Sequence, residues 1–166
     1  MTVDAEVDMF DDYALHGEAE RPRREFLTCT LGAESYGIDI LRVQEIREID
    51  RVTRIPHVAH FVRGVINLRG AIVPIVDLGL MFGFPQAIEL AKASAIVLNV
   101  DRRLVGLVVS SVSDVVGLAD EEIVPAPELG ERAIGAALSG IGTRDGVSVM
   151  LLDVDHLMRR VREERE

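Results

Sequence analysis

GVINLRGAIVPIVDL, residues 64–78, is the segment from which the fold class follows most directly. Two apolar, β-prone runs flank a tight connection at Arg69 and Gly70, and glycine readily adopts the positive φ that such turns need. The stretch therefore predicts a β-hairpin with Arg69 at its tip, away from any core. Pro74 has no N–H to donate to a neighbouring strand, so we expect the second strand to lie at a sheet edge or to carry a bulge there.

The same pattern continues on both sides of this hairpin. Short apolar runs separated by Gly, Pro or Asp predict about ten short strands. The predicted strands cover residues 25–31, 36–40, 52–55, 65–68, 71–76, 94–100, 104–109, 112–118, 140–143 and 147–154. A series of short strands without intervening long helices favours compact β-barrels over a parallel βαβ sheet.

A few short helical segments complete the prediction. Helical turns are expected at residues 41–46, 57–62 and 78–82, and a terminal helix at residues 156–166. Gly64 is expected to end the second turn, and Asp77 is expected to cap the third. Residues 131–138 fit either a short helix or a loop.

The formal charge of −10 is concentrated near the N-terminus. Residues 1–20 hold 7 of the 28 acidic residues and no Lys or Arg, so the remaining 21 acidic and 18 basic residues give −3. This distribution predicts a flexible acidic tail at residues 1–24, a folded domain at 25–158 and a charged, helical C-terminal tail at 159–166.

The same composition excludes several classes of function. The nearly balanced body lacks the basic face that a nucleic-acid-binding protein needs. No apolar run is long enough to span a membrane, and the acidic N-terminus does not resemble a signal peptide. We therefore expect a cytoplasmic protein that binds no nucleic acid and does not insert into a membrane.

The sequence shows no recognisable catalytic or metal-binding pattern. His57 and His60 have H-x-x-H spacing, but no nearby Cys or acidic cluster completes a ligand set, which favours a capping or surface role. Cys29 lies within an apolar alternation without an adjacent His, which favours a buried, inert thiol. Four aspartates at the ends of apolar runs are expected to cap turns. They are Asp39, Asp77, Asp114 and Asp153. Neither an enzyme nor a cofactor is expected, and a hydrolase using His57 and Asp77 is a minor alternative.

Four stretches, in order, resemble the CheW-type coupling proteins of bacterial chemotaxis. They are EFLTCTLGAESYGIDILRVQEI (25–46), GVINLRGAIVPIVDL (64–78), AIVLNVDRRLVGLVVSSVSDVVGL (95–118) and LSGIGTRDGVSVMLLDVDHLM (138–158). The resemblance implies a mainly β fold of two intertwined five-stranded SH3-like β-barrels with short helices. It also implies a non-enzymatic adaptor that couples chemoreceptors, the methyl-accepting chemotaxis proteins, to the histidine kinase CheA. An adaptor of a non-flagellar pathway, for twitching motility or development, is the alternative.

The resemblance further implies where a receptor tip binds. Val43, Glu45 and Ile46, on the predicted helical turn, are expected to contact the receptor together with Arg69. The apolar pair would receive a receptor helix, and the guanidinium would orient it through charged hydrogen bonds. Glu45 has an alternative role, since on a helix it would pair with Arg42 three residues earlier.

The resemblance places the regulatory domain of CheA near Gly106 and Val115. Simple packing explains both residues equally well: Gly106 would allow two strands to approach closely, and Val115 would belong to the core. Further copies of the same adaptor, arranged in array rings, are another expected partner. The protein is accordingly expected in the cytoplasm at receptor arrays.

Overall fold

The computed structural model describes residues 23–127 and 137–163. The predicted tail at 1–24 falls outside these residues except for its last two positions, as does most of the uncertain segment at 131–138. The final three residues of the predicted C-terminal tail also lie outside them. Within the described residues the chain is mainly β, as predicted.

Eleven strands and two short helices make up the described part of the chain. The strands are β1 (Arg23–Leu31), β2 (Glu34–Asp39), β3 (Val43–Glu48), β4 (Val62–Leu68), β5 (Ala71–Asp77), β6 (Ser94–Val100), β7 (Arg103–Val109), β8 (Ser111–Ala119), β9 (Ile123–Val124), β10 (Leu138–Arg144) and β11 (Val147–Leu152). The helices are α1 (Leu78–Met81) and α2 (Val154–Glu163), and single 3₁₀ turns occur at Ile40–Arg42, Leu90–Lys92 and Asp120–Glu122.

The strands form two sheets. One has six strands in the order β8-β1-β2-β11-β10-β9, and the other has five in the order β3-β6-β7-β5-β4. β1 and β2 belong to the six-stranded sheet, β3 to β7 form the five-stranded sheet, and β8 to β11 return to the first, so the two sheets are intertwined. The predicted pair of β subdomains is confirmed, with the two-residue β9 as an additional strand in the first.

The core has three parts because central strands bury both faces. Alternate residues of β6 point to opposite sides: Ile96 belongs to the core between the two sheets, and Val97 to the interior of the five-stranded sheet. The central core joins side chains of both sheets, including Cys29 and Tyr36 from the first and Ile96 from the second. A third cluster, around Phe26, fills the six-stranded sheet. Burial of this shared core couples the two sheets into one folding unit.

The predicted β4–β5 hairpin is confirmed. Arg69 and Gly70 form its turn with φ values of 50° and 92°, and both positive values match the right-handed twist of the flanking strands. The Gly70 N–H donates to the Asn67 side-chain oxygen at 2.8 Å, which further fixes the turn. The hairpin therefore presents the Arg69 side chain at its tip.

β5, which holds Pro74, is not an edge strand, so the expected edge position is wrong. β5 lies between β4 and β7, but its pairing with β7 begins only at Ile75. Pro74 thus occupies the part of β5 that has a single hydrogen-bonding neighbour, where a missing N–H is tolerated. The register shift of this hairpin lies in β4, between Val62 and Gly64.

The helical turn predicted at 41–46 is wrong. A 3₁₀ turn ends at Arg42, and Val43 then begins β3, which pairs with β6. A bulge between Val43 and Glu45 inserts one extra residue, so the apolar positions Val43 and Ile46 are three residues apart instead of two. Because of this bulge, the apolar residues of a strand have the three-residue spacing that is typical of a helix.

The helical turn predicted at 57–62 is also wrong, because these residues form bends and a turn before β4 begins at Val62. His57 has a φ of 62°, which a right-handed helix does not allow. The strand predicted at 52–55 is reduced to one bridge between Thr53 and Val65, and Gly64 lies inside β4.

Three of the four predicted aspartate caps are confirmed. Asp39, Asp77 and Asp153 accept hydrogen bonds from N–H groups two or three residues ahead, at 2.9, 3.0 and 3.0 Å. Asp114 instead lies within β8, where its carboxylate accepts a 2.9 Å hydrogen bond from the Thr28 hydroxyl. Because Asp114 lies at the register shift between β1 and β8, its side chain stabilises a bulge rather than a turn.

Candidate functional site

Arg69 is joined to Glu45 across the five-stranded sheet. Nη2 of Arg69, at the hairpin tip, donates a hydrogen bond to Oε1 of Glu45 on β3. β3 and β4 are the two edges of this sheet, so the ion pair bridges the seam where the sheet closes into a barrel. Two backbone hydrogen bonds between Thr53 and Val65, at 2.8 and 2.9 Å, close the same seam.

The ion pair holds both charges at neutral pH. The hydrogen bond from Arg69 is the main cause of the lowered pKa of Glu45, and the same bond raises the pKa of Arg69. The Arg69 side chain is 66% exposed and the Glu45 side chain 27%. Since a guanidinium has five N–H donors, Arg69 retains donors for an incoming carboxylate while Glu45 fixes its orientation.

Val43 and Ile46 lie on the other face of β3. Both pair with β6 residues of the core between the sheets, whereas Glu45 pairs with a residue of the five-stranded interior. Val43 is half-buried against the central core, and Ile46 is exposed. The structure therefore brings Glu45 and Arg69 together, and it separates them from the two apolar residues by the width of one strand.

The alternative pairing of Glu45 with Arg42 is wrong. The Arg42 guanidinium makes two hydrogen bonds, at 3.1 and 3.0 Å, with the Asp155 carboxylate at the start of α2. Two exposed apolar side chains near the predicted receptor residues were missed from the sequence, Leu41 beside Arg42 and Ile72 on β5. The sequence did contain a signal for Ile72. Successive side chains of a strand point to opposite faces, and the next residue, Val73, is fully buried.

The two residues predicted near the kinase lie in different environments. Gly106 is buried in β7, and an added Cβ atom would lie 2.7 Å from Cδ1 of Ile75. Close packing of β5 on β7 thus explains this glycine. Val115 is 45% exposed, so the alternative that it belongs to the core is wrong.

Val115 lines an open cavity on the six-stranded barrel. The cavity has a volume of about 550 Å³ and lies between β8 and the β10–β11 hairpin. Val147, also exposed, contributes to the lining, as do the charged side chains of Asp114 and Arg144. The Arg144 guanidinium donates a 2.6 Å hydrogen bond to the Gly117 carbonyl oxygen, which fixes the hairpin against β8. An exposed apolar patch with a charged rim is typical of a protein-binding surface.

Asp77 and Cys29, two candidate residues outside these surfaces, are both fully buried. The fully buried Asp77 carboxylate accepts hydrogen bonds from the N–H groups of Leu80 and Ile88, at 3.0 and 2.8 Å, and from the Arg63 guanidinium at 3.2 Å. The Cys29 thiol is buried, and its pKa is raised to about 12 by burial. These environments explain Asp77 and Cys29 without a catalytic role.

Two further features are absent from residues 23–127 and 137–163. No group of three or more His, Cys, Asp or Glu side chains is arranged there to hold a metal ion. Among the helices of the same residues, none has the length and apolarity needed to cross a membrane.

Two intertwined β-barrels with separate exposed surfaces define a small protein of the binding-module class. Residues 25–162 match the CheW-like domain. The chemotaxis protein CheW of Klebsiella aerogenes is 47% identical over 135 residues, which cover 81% of this chain and 81% of that protein. The probable chemotaxis protein CheW of Rhizobium etli is 35% identical over 141 residues, which cover 85% and 91%. The crystal structure of scaffolding protein TtCheW from Thermoanaerobacter tengcongensis superposes with a TM-score of 0.73 at 28% identity, covering 80% of this chain and 90% of that one. The chain belongs to the CheW-like domain family.

Proposed function

We propose that this chain is a non-enzymatic chemotaxis adaptor that couples chemoreceptor signalling tips to the histidine kinase CheA. The observation that carries the proposal is the match to chemotaxis proteins over most of the chain, at 47% identity to one of them. No observation favours an adaptor for twitching motility or development over this role.

Receptor binding is assigned to the five-stranded barrel. Arg69 projects from a hairpin tip, Glu45 fixes its direction, and the exposed Ile72 provides apolar area three residues further along β5. A receptor carboxylate would bind the free donors of Arg69, while Val43 and Ile46 would contact a receptor helix from the opposite face of β3. Exposed arginines that are held in one orientation are frequent anchors of protein interfaces.

Kinase binding is assigned partly to the six-stranded barrel. Val115 and Val147 line an open cavity that an apolar side chain of the regulatory domain of CheA would fill. Gly106 contributes indirectly, by setting how closely β5 and β7 approach. Because the receptor and kinase surfaces lie on different barrels, one copy of the adaptor would hold both partners at once.

The adaptor would act by holding its binding partners together and not by catalysing a reaction. Each contact needs only modest affinity. Contacts already made in an array raise the effective concentration of the partner for the next contact. Differential contacts with two kinase states would shift the equilibrium between them. In this proposal the protein lies in the cytoplasm at receptor arrays, where further copies are additional partners.

The experiment is a pair of binding titrations with purified full-length chain, one against a receptor-tip fragment and one against CheA. Two substitutions separate the surfaces: Arg69→Glu should weaken receptor binding, and Val115→Asp should weaken kinase binding. Arg103→Glu, at another exposed hairpin, and Ile55→Asp, at a side chain 41% exposed, are the matched controls. Absence of binding to both partners by the folded wild-type chain would refute the proposal.

A further inference from the structure

A second polar surface lies on the five-stranded barrel, away from Arg69. In residues 51–63, RVTRIPHVAHFVR, every third residue is Arg or His, and no acidic residue occurs. These residues are Arg51, Arg54, His57, His60 and Arg63. The proposed receptor and kinase contacts involve none of them.

The backbone of this segment is anchored so that its polar side chains face outward. Thr53 is bridged to Val65, and the carbonyl of the fully buried Phe61 accepts a 2.7 Å hydrogen bond from the Asp77 N–H. The bend at His57, with its φ of 62°, reverses the chain between these two anchors. Arg54, His57 and His60 consequently remain exposed while Phe61 is held in the core.

The outward side chains line a cavity of about 380 Å³. The remaining lining is Ile55, Val58, Ala59, Val62, Arg63, Leu80 and Ala87, and it includes no acidic residue. The Arg63 guanidinium is bound to the Asp77 carboxylate and to the Ile88 carbonyl at 3.2 and 2.8 Å. Arg54 and His57, in contrast, make no side-chain hydrogen bond or ion pair with any described residue. A partly apolar cavity therefore faces a positive charge that the described barrel does not neutralise.

The chain itself contains a segment of complementary character. Residues 1–20 carry seven acidic side chains and no Lys or Arg, and the apolar Met9, Phe10, Tyr13 and Leu15 lie among them. The described part of the chain begins with β1 at Arg23, and this segment is joined to it covalently. Nine residues, 14–22, separate Tyr13 from Arg23, and they span about 30 Å when extended, whereas a domain of this size has a radius of gyration of about 14 Å. Residues 4–13 can therefore reach a site about two radii of gyration from Arg23.

We propose that the acidic segment at residues 4–13 binds the cavity at Arg54, His57 and His60 of its own chain. Its carboxylates would pair with the Arg54 guanidinium, and its apolar residues would cover the apolar lining of the cavity. Tethering favours this contact over binding between separate molecules. The cavity adjoins the start of β4 and Arg69 follows its end, so about 20 Å of strand separates the two sites, and Arg69 stays accessible.

Paramagnetic relaxation enhancement in the full-length chain tests this contact. A nitroxide is attached through Met9→Cys, and the fully buried Cys29 should stay unlabelled in the folded protein. We expect the amide signals of residues 54–63 to lose several-fold more intensity than those of the β6–β7 turn at Asp101 and Arg102. Intensity losses equal at both places would overturn the proposal.

Two additional measurements distinguish this contact from its alternatives. Arg54→Glu should abolish the preferential intensity loss, whereas Arg103→Glu, at an exposed arginine outside the cavity, should leave it unchanged. Mixing spin-labelled, unenriched chain with ¹⁵N-enriched, unlabelled chain should give no loss at residues 54–63. A loss of similar size in the mixed sample would show that a second copy is the occupant and would refute binding within one chain.

Discussion

Arg69 and Glu45 are 24 residues apart in the sequence, yet their side chains join the two edge strands of one barrel. The pair therefore contributes to barrel closure and also orients the exposed guanidinium. A receptor that supplies a carboxylate would find Arg69 already positioned, so that less side-chain entropy is lost on binding. This relationship allows the binding role of Arg69 to be separated from its structural role.

Arg69→Glu should leave the chain folded and weaken receptor binding by at least about tenfold, as expected for loss of an interface anchor. The substitution places two carboxylates at the seam, but both side chains reach solvent, so the melting temperature should change little. Calorimetric titration with a receptor-tip fragment and thermal unfolding measure the two effects.

The reversed pair, Glu45→Arg with Arg69→Glu, is the sharper control. It restores opposite charges across the seam, but it presents the receptor with a carboxylate at the hairpin tip. Receptor binding should remain weak in this double variant. Recovery of wild-type affinity would show that the ion pair matters for structure alone and that Arg69 is not the anchor.

Val73→Asp and Val108→Asp should each destabilise the chain by about 3 kcal/mol or more, because each places a carboxylate in the core without a partner. Both valines are 0% exposed and belong to the interior of the five-stranded barrel. Ile72→Asp is the matched control, since Ile72 neighbours Val73 in the sequence and is 63% exposed. Urea unfolding should show a large loss for the two core variants and little for the control, and equal losses in all three would contradict the observed alternation of β5.

Local sequence patterns predicted the elements in which local chemistry dominates. The turn at Arg69 and Gly70 and the cap at Asp77 follow from residues next to one another in the chain, and the structure confirms both. The apolar alternation also identified most strands. The resemblance to a known family supplied their arrangement into two barrels, which the alternation alone did not specify.

The elements that were not predicted from the sequence depend on contacts between residues that are distant in the chain. β3 forms because β6 offers it a free edge, and the bulge between Val43 and Glu45 disguises its period. The partner of Glu45 was ambiguous for the same reason: on a helix it would be Arg42, while on an edge strand it is Arg69. The cavities beside Val115 and His57 required the tertiary structure, because each is formed by segments that are separate in sequence.

Asp77→Ala should destabilise the chain by about 2 to 4 kcal/mol, because it leaves the Arg63 guanidinium and two N–H groups without their acceptor. Asp77→Asn should cost less, since its amide oxygen still accepts one or two of these bonds. Asp39→Ala, which removes a partly buried cap of a 3₁₀ turn, is the control and should cost no more than about 1 kcal/mol. Chemical unfolding measures all three, and an effect of Asp77→Ala no larger than that of Asp39→Ala would contradict the buried network.

Gly106→Ala should destabilise the chain by about 1 to 2 kcal/mol, because its Cβ would lie 2.7 Å from Cδ1 of Ile75. Ile75→Val removes that atom, so the double variant should recover part of the stability lost by Gly106→Ala. If Gly106 acts on the kinase through packing alone, the folded double variant should bind CheA with wild-type affinity. Weak kinase binding by a double variant of restored stability would instead indicate a more direct role for Gly106.

Cys29 should make the chain sensitive to alkaline pH. Burial raises the pKa of its thiol from an ordinary value of 9.0 to about 12, so the unfolded chain releases this proton first as the pH rises. The contribution of the thiol to stability is complete below about pH 9 and is lost as the pH rises toward 12, with a slope of at most about 1.4 kcal/mol per pH unit. The pKa of Tyr36 is raised as well, mainly by burial, and it adds to the loss at higher pH. Free energies of unfolding between about pH 8 and pH 10 measure this slope, and Cys29→Ala should make it shallower while lowering stability at pH 8 through the cavity it creates. An equal slope in Cys29→Ala would assign the alkaline sensitivity to another group.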